Sequence, residues 1–227
     1  MKKRSLIFVI ILIFSVVQLA AQAGSSQAGQ GGSLSLEKIC ESLASRPNSK
    51  GDFTQIKTIK TNKRSLKSTG KFIISTYGIY WKTEKPFPTS LILTENSMVL
   101  ISANGTKSVM SGEDDQIFSN ISNTLSSVFS GNADALKKNF ECSFSDDAKG
   151  NWKIFLTPKD STIASVMNSL ELSGTYEGYD NNGTAKAAVL NSLEMIEASE
   201  NTIQYIFSNQ KYPEDLSADE KQIFVVD

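Results

Sequence analysis

Residues 70–101 read GKFIISTYGIYWKTEKPFPTSLILTENSMVLI, and the parsing of this stretch decides the fold. Apolar residues alternate with polar ones in four short runs. Phe72, Ile74, Ile79, Trp81, Leu91, Leu93, Val99 and Ile101 fall on one face, and Lys71, Lys82, Thr94 and Ser102 interleave with them. That is the pattern of consecutive antiparallel strands with one face wet. Tyr77-Gly78 breaks the first run. Lys85-Pro86-Phe87-Pro88 cannot sit in a central strand, because neither proline can donate to a ladder. The apolar face is wide and almost free of charge. In a closed barrel it is a packed core, and in an open one it is a pocket of lipid size.

Upstream, Gly51–Ile59 reads as a further strand with Phe53 on the same apolar face. Before it, Leu36, Ile39, Cys40 and Leu43 recur at helical spacing over residues 34–43, with Ser35 as the cap and Arg46-Pro47-Asn48 as the stop. This helix needs an apolar surface to rest on, and the sheet supplies one. Downstream, Asn104-Gly105 is the clearest hairpin signal in the chain, with Thr106–Met110 as the return strand.

The character changes at Gly112. Glu113, Asp114 and Asp115 suit a solvated helix start, and Ile117, Phe118, Ile121, Leu125, Val128 and Phe129 follow at helical spacing. Ala133–Phe140 reads as a second, shorter helix. A two-part helical insert in a β chain is a lid if the barrel is open. Strands resume at Glu141–Ser145, Trp152–Thr157, Asn168–Tyr176, Leu190–Ala198 and Thr202–Ser208. The acidic tail has Leu216, Ile223 and Phe224 as its anchors. The class is mainly β with a helical insert (α+β).

At the N-terminus, Lys2-Lys3-Arg4, an apolar run of 14 residues from Leu6 to Leu19 and Ala21-Gln22-Ala23 make a secretory signal peptide over residues 1–23. An uncleaved anchor is the alternative, though the run is short of the ~20 residues of a membrane span. Residues 24–33 form a Gly/Ser/Gln lead-in, and 34–227 make one domain with a substantial core. Without the leader, 20 basic residues face 24 acidic ones, and no dense basic patch exists; nucleic acid is not the partner. Cys40 and Cys142, the only cysteines, either form a disulfide in an oxidising compartment or serve as small buried hydrophobes. The chain has no histidine, so His-based triads and His metal sites are excluded. No nucleotide-binding or nucleophile-elbow motif appears, and no nucleophile is paired with a base. Neither a catalytic residue, a metal site nor a cofactor is expected.

Several words of the chain carry a resemblance. They are Gly51-Asp52-Phe53-Thr54-Gln55 after the first helix, Gly70 opening a strand, Trp81 eleven residues on, Glu84-Lys85-Pro86 and Ser90-Leu91-Ile92-Leu93-Thr94. Phe155-Leu156-Thr157-Pro158-Lys159, Leu193-Glu194-Met195-Ile196-Glu197 and Tyr205-Ile206-Phe207-Ser208-Asn209 continue it. Over about residues 34–224 the chain resembles the LolA family of periplasmic lipoprotein carriers. The resemblance implies a half-open antiparallel β-barrel of about eleven strands covered by lid helices. It also implies a monomer in the periplasm that binds an acylated lipoprotein or another lipid. An inner-membrane release complex and an outer-membrane acceptor would be its partners. The ligand would lie against Phe53, Phe72, Ile74, Ile79, Trp81, Leu91, Leu93, Val99 and Ile101. One departure stands out. Well-studied members carry an Arg-Pro pair between that glycine and that tryptophan, and its arginine bonds the lid helices; here the stretch is Ser75-Thr76-Tyr77-Gly78. The family's Asp-Gly turn is likewise replaced, by Asn96-Ser97. A lipid-binding or envelope-sensing module of the same fold is therefore the second reading, and an enzyme or purely structural exported protein the third.

Overall fold

Ten residues from Ser49 to Thr58 form the strand on which both halves of the sheet meet. The computed structural model describes residues 35–111, 132–147, 149–176 and 187–225. From β1 (Ser49–Thr58) the chain meanders outward through β2 (Ser65–Ser75), β3 (Gly78–Lys85), β4 (Thr89–Leu93) and β5 (Ser97–Ile101) to β6 (Lys107–Ser111). It returns from the other side through β7 (Phe140–Asp146), β8 (Asn151–Pro158), β9 (Met167–Tyr176) and β10 (Ala188–Glu197). The last strand, β11 (Thr202–Lys211), pairs with β1. The result is one antiparallel sheet of eleven strands in the order β6-β5-β4-β3-β2-β1-β11-β10-β9-β8-β7. Strands β6 and β7 form its two edges and do not pair with each other, so the sheet is a half-barrel and not a closed one.

The local reasons follow the sequence. Helix α1 (Leu36–Ala44) starts at Ser35, whose hydroxyl accepts from the Lys38 amide, and buries Leu36, Ile39 and Cys40. It is fastened to β10, where the Ala188 amide donates to the Ser42 hydroxyl at 2.7 Å. Helix α2 (Ala133–Asn139) is capped by Asn132, and Lys137 on it pairs with Glu37 of α1. The single turn α3 (Ser161–Ala164) packs on β8 and β9. Gly174 in β9 has a specific reason to be glycine. A Cβ there would stand 1.9 Å from the Val189 carbonyl oxygen and 2.3 Å from the Trp152 ring, which lies over it.

Lys137 holds the Glu37 carboxyl down at about 2, from an ordinary value of 4.5. A depressed carboxyl contributes stability above its unfolded pKa and loses it as pH falls towards the folded one. The Glu37→Gln variant should therefore melt slightly lower at neutral pH, where both partners are solvated and the gain is small. Its melting curve should converge with that of the parent between pH 4.5 and 2. Thermal midpoints of the two proteins across that range check this; parallel curves would contradict it.

The outer face departs from the expectation of a wet surface. Ile73, Ile92 and Val99 are buried there beneath Leu216 and Phe224, with Tyr80, Ile101 and Ile223 packed around them. The C-terminal segment makes this cover. Helix α4 (Ala218–Gln222) begins in a capping box between Ser217 and Glu220, and Glu220 pairs with Lys50 at 2.5 Å. Lys71 and Lys82 keep the uncovered part of the same face polar. Lys71 is bonded to Asp52 at 3.0 Å.

Val99 and Ile101 are thus misassigned by the alternation. They lie on the outer face, and Met98 and Leu100 take the inner positions opposite Leu93 and Leu91. The cause is physical. Met98-Val99-Leu100-Ile101 is apolar at every position because β5 is covered on both sides, so the period of two disappears. Register is set instead by the Thr94–Ser97 turn, in which the Thr94 amide donates to the Ser97 carbonyl at 2.8 Å. A slip of one residue reverses every side chain of the strand.

Candidate ligand face

The inner face of β1, β2, β3 and β11 carries five aromatic rings. Phe53 stacks on Trp81 with ring centroids 4.4 Å apart, and Trp81 meets Tyr205 edge-on at 5.1 Å. Phe72 lies 5.9 Å from Trp81 and 5.2 Å from Phe207. Gly70 makes the central stack feasible. Phe53 on β1 crosses the Gly70 position of β2 to reach Trp81 on β3, and a Cβ at Gly70 would stand 1.9 Å from the Lys82 carbonyl oxygen and 2.8 Å from the Phe53 ring. Offset and edge-to-face pairs of this kind add about 0.5–1.5 kcal/mol each beyond their burial.

Around the rings the face continues in two directions. Ile79, Leu93 and Met98 form a buried group with Ile74, Leu91 and Met110 half-buried against it. On the other side lies the main core of β7–β11, including Ile154, Leu156, Leu172, Met195 and Ile203, under α1. The structure therefore brings together Phe53, Phe72, Ile74, Ile79, Trp81, Leu91 and Leu93 among the residues picked from sequence. Phe53 and Phe72 are each only 2 % exposed and belong to the core. Trp81, Ile74 and Leu91 are half-buried, which is the property a ligand-facing apolar side chain must have. The six residues of the helical insert, Ile117, Phe118, Ile121, Leu125, Val128 and Phe129, lie outside the described residues.

Cys40 and Cys142 are both free thiols. Burial pushes the Cys40 thiol up to about 11, and it raises Cys142 as well. Each packs with the main core, so in this structure they act as small hydrophobes.

The inner face has two differently built ends. At the β10–β11 turn, Lys57 donates to the Glu197 carboxylate at 2.7 Å. Glu197 is fully buried, and its other oxygen accepts from Ser199 at 3.0 Å and Asn201 at 2.8 Å. A buried ion pair whose carboxylate is bonded at both oxygens closes that end. At the opposite end of β1 and β11 an apolar cleft of about 50 Å3 opens between α1 and the sheet. Leu43, Phe72, Ile74, Leu190 and Phe207 line it, and Arg46, Gln210 and Tyr212 stand at it. Sequence reading missed both ends. In the sequence Arg46 reads only as part of the helix stop, and Glu197 only as a strand residue within one of the words that carry the resemblance, three positions from Glu194 and so a poor partner for it. The alternation of Tyr205 and Phe207 in TIQYIFS was visible, but nothing local placed that strand beside β1.

Among the described residues no group of three or more His, Cys, Asp or Glu side chains stands ready to hold a metal ion. No helix among them is long and apolar enough to cross a membrane.

An open antiparallel half-barrel with an apolar inner face defines a class of binding protein. The family profile "Outer membrane lipoprotein carrier protein LolA" matches residues 47–223, and the chain belongs to the LolA family. No curated protein sequence matches it significantly. Among solved structures it is similar to a LolA superfamily protein from Nitrosomonas europaea, at 10 % identity over 86 % of this chain and 99 % of that one, with a TM-score of 0.44. A putative outer membrane lipoprotein-sorting protein domain from Vibrio parahaemolyticus is 12 % identical over 84 % of this chain and 99 % of that one, with a TM-score of 0.41. A DUF1329 family protein from Desulfovibrio piger is 11 % identical over 80 % and 92 %, with a TM-score of 0.47.

Proposed function

We propose that this protein is a periplasmic carrier that takes the acyl chains of lipoproteins against its apolar inner face and ferries them from the inner to the outer membrane. One observation carries the reading. Trp81, Ile74 and Leu91 form a half-buried apolar surface on the concave side of a sheet whose edges stay apart, in a chain of the LolA family. Burial of an acyl chain is worth about 0.8 kcal/mol per methylene, on the order of 10 kcal/mol for a chain of ordinary length. A lipoprotein with two or three such chains does not leave a membrane at a useful rate unless something shields them. An inner-membrane release complex would hand over the cargo and an outer-membrane acceptor would take it.

A second reading, a lipid-binding or sensing module of the same fold, is favoured by the β2–β3 turn. There the Tyr77 amide donates to the Ser75 hydroxyl at 3.1 Å, and Gly78 follows with a φ of 139°; no arginine stands at this turn. The test is a release assay. Spheroplasts making a radiolabelled lipoprotein are incubated with the protein from Gly24 onward and spun down. Labelled lipoprotein in the supernatant, bound to this protein, is the result the carrier reading expects. Free lipid on the protein without lipoprotein release would move the assignment to the second reading.

A further inference from the structure

Phe87 is 73 % exposed, the most exposed large apolar side chain among the described residues, and it stands in the turn between β3 and β4. Pro86 and Pro88 flank it, and their fixed φ angles leave the turn little freedom to fold the ring inward. The strand register sets what lies beside it. Thr69 of β2 pairs with Lys85, the last residue of β3. Beyond Thr69, β2 continues from Ser68 to Ser65, still paired with β1. The β1–β2 hairpin therefore reaches past the end of β3, and the Phe87 turn stands beside that extension. Leu66, on the extension, is 52 % exposed.

These apolar residues share the end of the sheet with a group of cations. Every residue from Lys60 to Lys67 and from Glu84 to Pro88 is exposed. The two segments carry Lys60, Lys63, Arg64, Lys67 and Lys85 against the single carboxylate of Glu84. Lys60 pairs with Glu200, whereas the other four cations have no ion-pair partner among the described residues. The β1–β2 turn holds its shape, since the Lys63 amide donates to the Ile59 carbonyl at 2.8 Å and the Ile59 amide to the Arg64 carbonyl at 2.9 Å. Without the leader the chain is acidic, with 20 basic residues against 24 acidic ones, so this end opposes the charge of the whole. In the sequence the same charges are scattered through two turns and do not read as a patch; the sheet sets the turns side by side.

A soluble anion would satisfy the cations but offer nothing to an exposed phenyl ring, and an acidic protein surface would leave that ring in water. A bilayer containing anionic lipid is negatively charged at its head groups and apolar just beneath them, and so meets both features. We propose that the rim formed by the β1–β2 and β3–β4 turns docks the protein on such a bilayer, with Phe87 and Leu66 entering the interface and Lys63, Arg64, Lys67 and Lys85 held at the head groups. The same strands β3 and β4 carry Trp81 and Leu91, so docking brings the ligand face to about 20 Å from the membrane along the strand. The proposal rests on the lipid-carrier reading for what docking serves, the exchange of an acylated ligand; the contact itself is independent of what the inner face binds.

The experiment floats the protein from Gly24 onward with phosphatidylcholine vesicles, with and without phosphatidylglycerol, at low and high salt. The proposal expects at least tenfold more protein on the anionic vesicles at low salt, and a loss of most of it at high salt. Phe87→Ser should lower that binding at least fivefold. The triple variant K63Q/R64Q/K67Q should lower it at least tenfold and remove its salt dependence. Phe155→Ser removes an exposed ring from β8, far from these turns, and should bind as the parent does. Circular dichroism confirms that the variants, all at exposed positions, are folded. Equal flotation with both kinds of vesicle, or with neither, would overturn the proposal. So would F87S binding as the parent does, or F155S losing as much as F87S. Pyrene-labelled phosphatidylglycerol at trace level in the same vesicles separates the two readings. Pyrene taken up by a protein that does not float would overturn docking and leave lipid binding in place. Flotation without uptake would support docking and remove the lipid-binding reading.

Discussion

Replacing Lys57 with methionine should cost about 3–5 kcal/mol of stability, the usual penalty for breaking a buried ion pair from one side. The Lys57 side chain is 11 % exposed and Glu197 is not exposed at all, so the substitution strands a carboxylate in the interior. Ser199 and Asn201 still serve one of its oxygens, but the positive charge that Lys57 brings to within 2.7 Å of the other is gone. At about 2–4 °C per kcal/mol for a domain of this size, the melting midpoint should fall by about 6–20 °C. The double variant Lys57→Met with Glu197→Leu should recover much of the loss, since replacing both charges by apolar groups removes the desolvation penalty as well. Urea or thermal midpoints of the four proteins complete the cycle. A single variant within about 1 kcal/mol of the parent would show that the pair is not buried in solution.

Phe53→Ala and Trp81→Ala should separate stability from binding. Phe53 is enclosed by Trp81 and Tyr205, and its truncation leaves a cavity that the rigid strands on either side cannot close. A loss of about 3–5 kcal/mol is expected. Trp81 touches the same rings but is half-buried, so its truncation removes less buried surface and the cost in stability should be smaller. Ligand capture should respond the other way. It should fall far more in W81A than the modest loss of stability explains. F53A, at a temperature where it remains folded, should bind nearly as the parent does. Equal effects of both substitutions on capture would mean that Trp81 is simply part of the core.

Much of this architecture was legible because local signals agreed with one another. Tyr77-Gly78, the Pro86–Pro88 break and Asn104-Gly105 punctuate strands that the structure places close to where alternation put them, although β2 begins at Ser65 and not at Gly70. Ser35 caps the first helix as expected. The face assignment held for β2, β3 and β4, each of which has polar residues on its other side for at least part of its length. It failed at β5, where the tail residues Leu216 and Phe224 make the outer side apolar too. The anchors in that tail were recognised in the sequence. What they cover was not, because a contact between residue 99 and residue 216 leaves no local trace.

The same limit explains the two ends of the inner face. Arg46 and Tyr212 are 166 positions apart, as are Asn48 and Glu214, and only the pairing of β1 with β11 brings each pair together. Lys57 and Glu197 meet for the same reason. Their residue types are common on any surface. It is the sheet order, with the first and last strands adjacent at its centre, that turns them into a seal and a rim.

The measurement that tests the central claim most directly uses both faces of the sheet. A photocrosslinking residue is placed in turn at Trp81 and Leu91 on the inner face and at Tyr80 and Ile101 on the outer face, in the protein made in cells with labelled fatty acid. Tyr80 and Ile101 are half-buried apolar positions of the same strands or their neighbours, so they control for hydrophobicity alone. The account predicts labelled acyl adducts at Trp81 and Leu91 and none at Tyr80 and Ile101. Adducts on the outer face, or on neither, would contradict it.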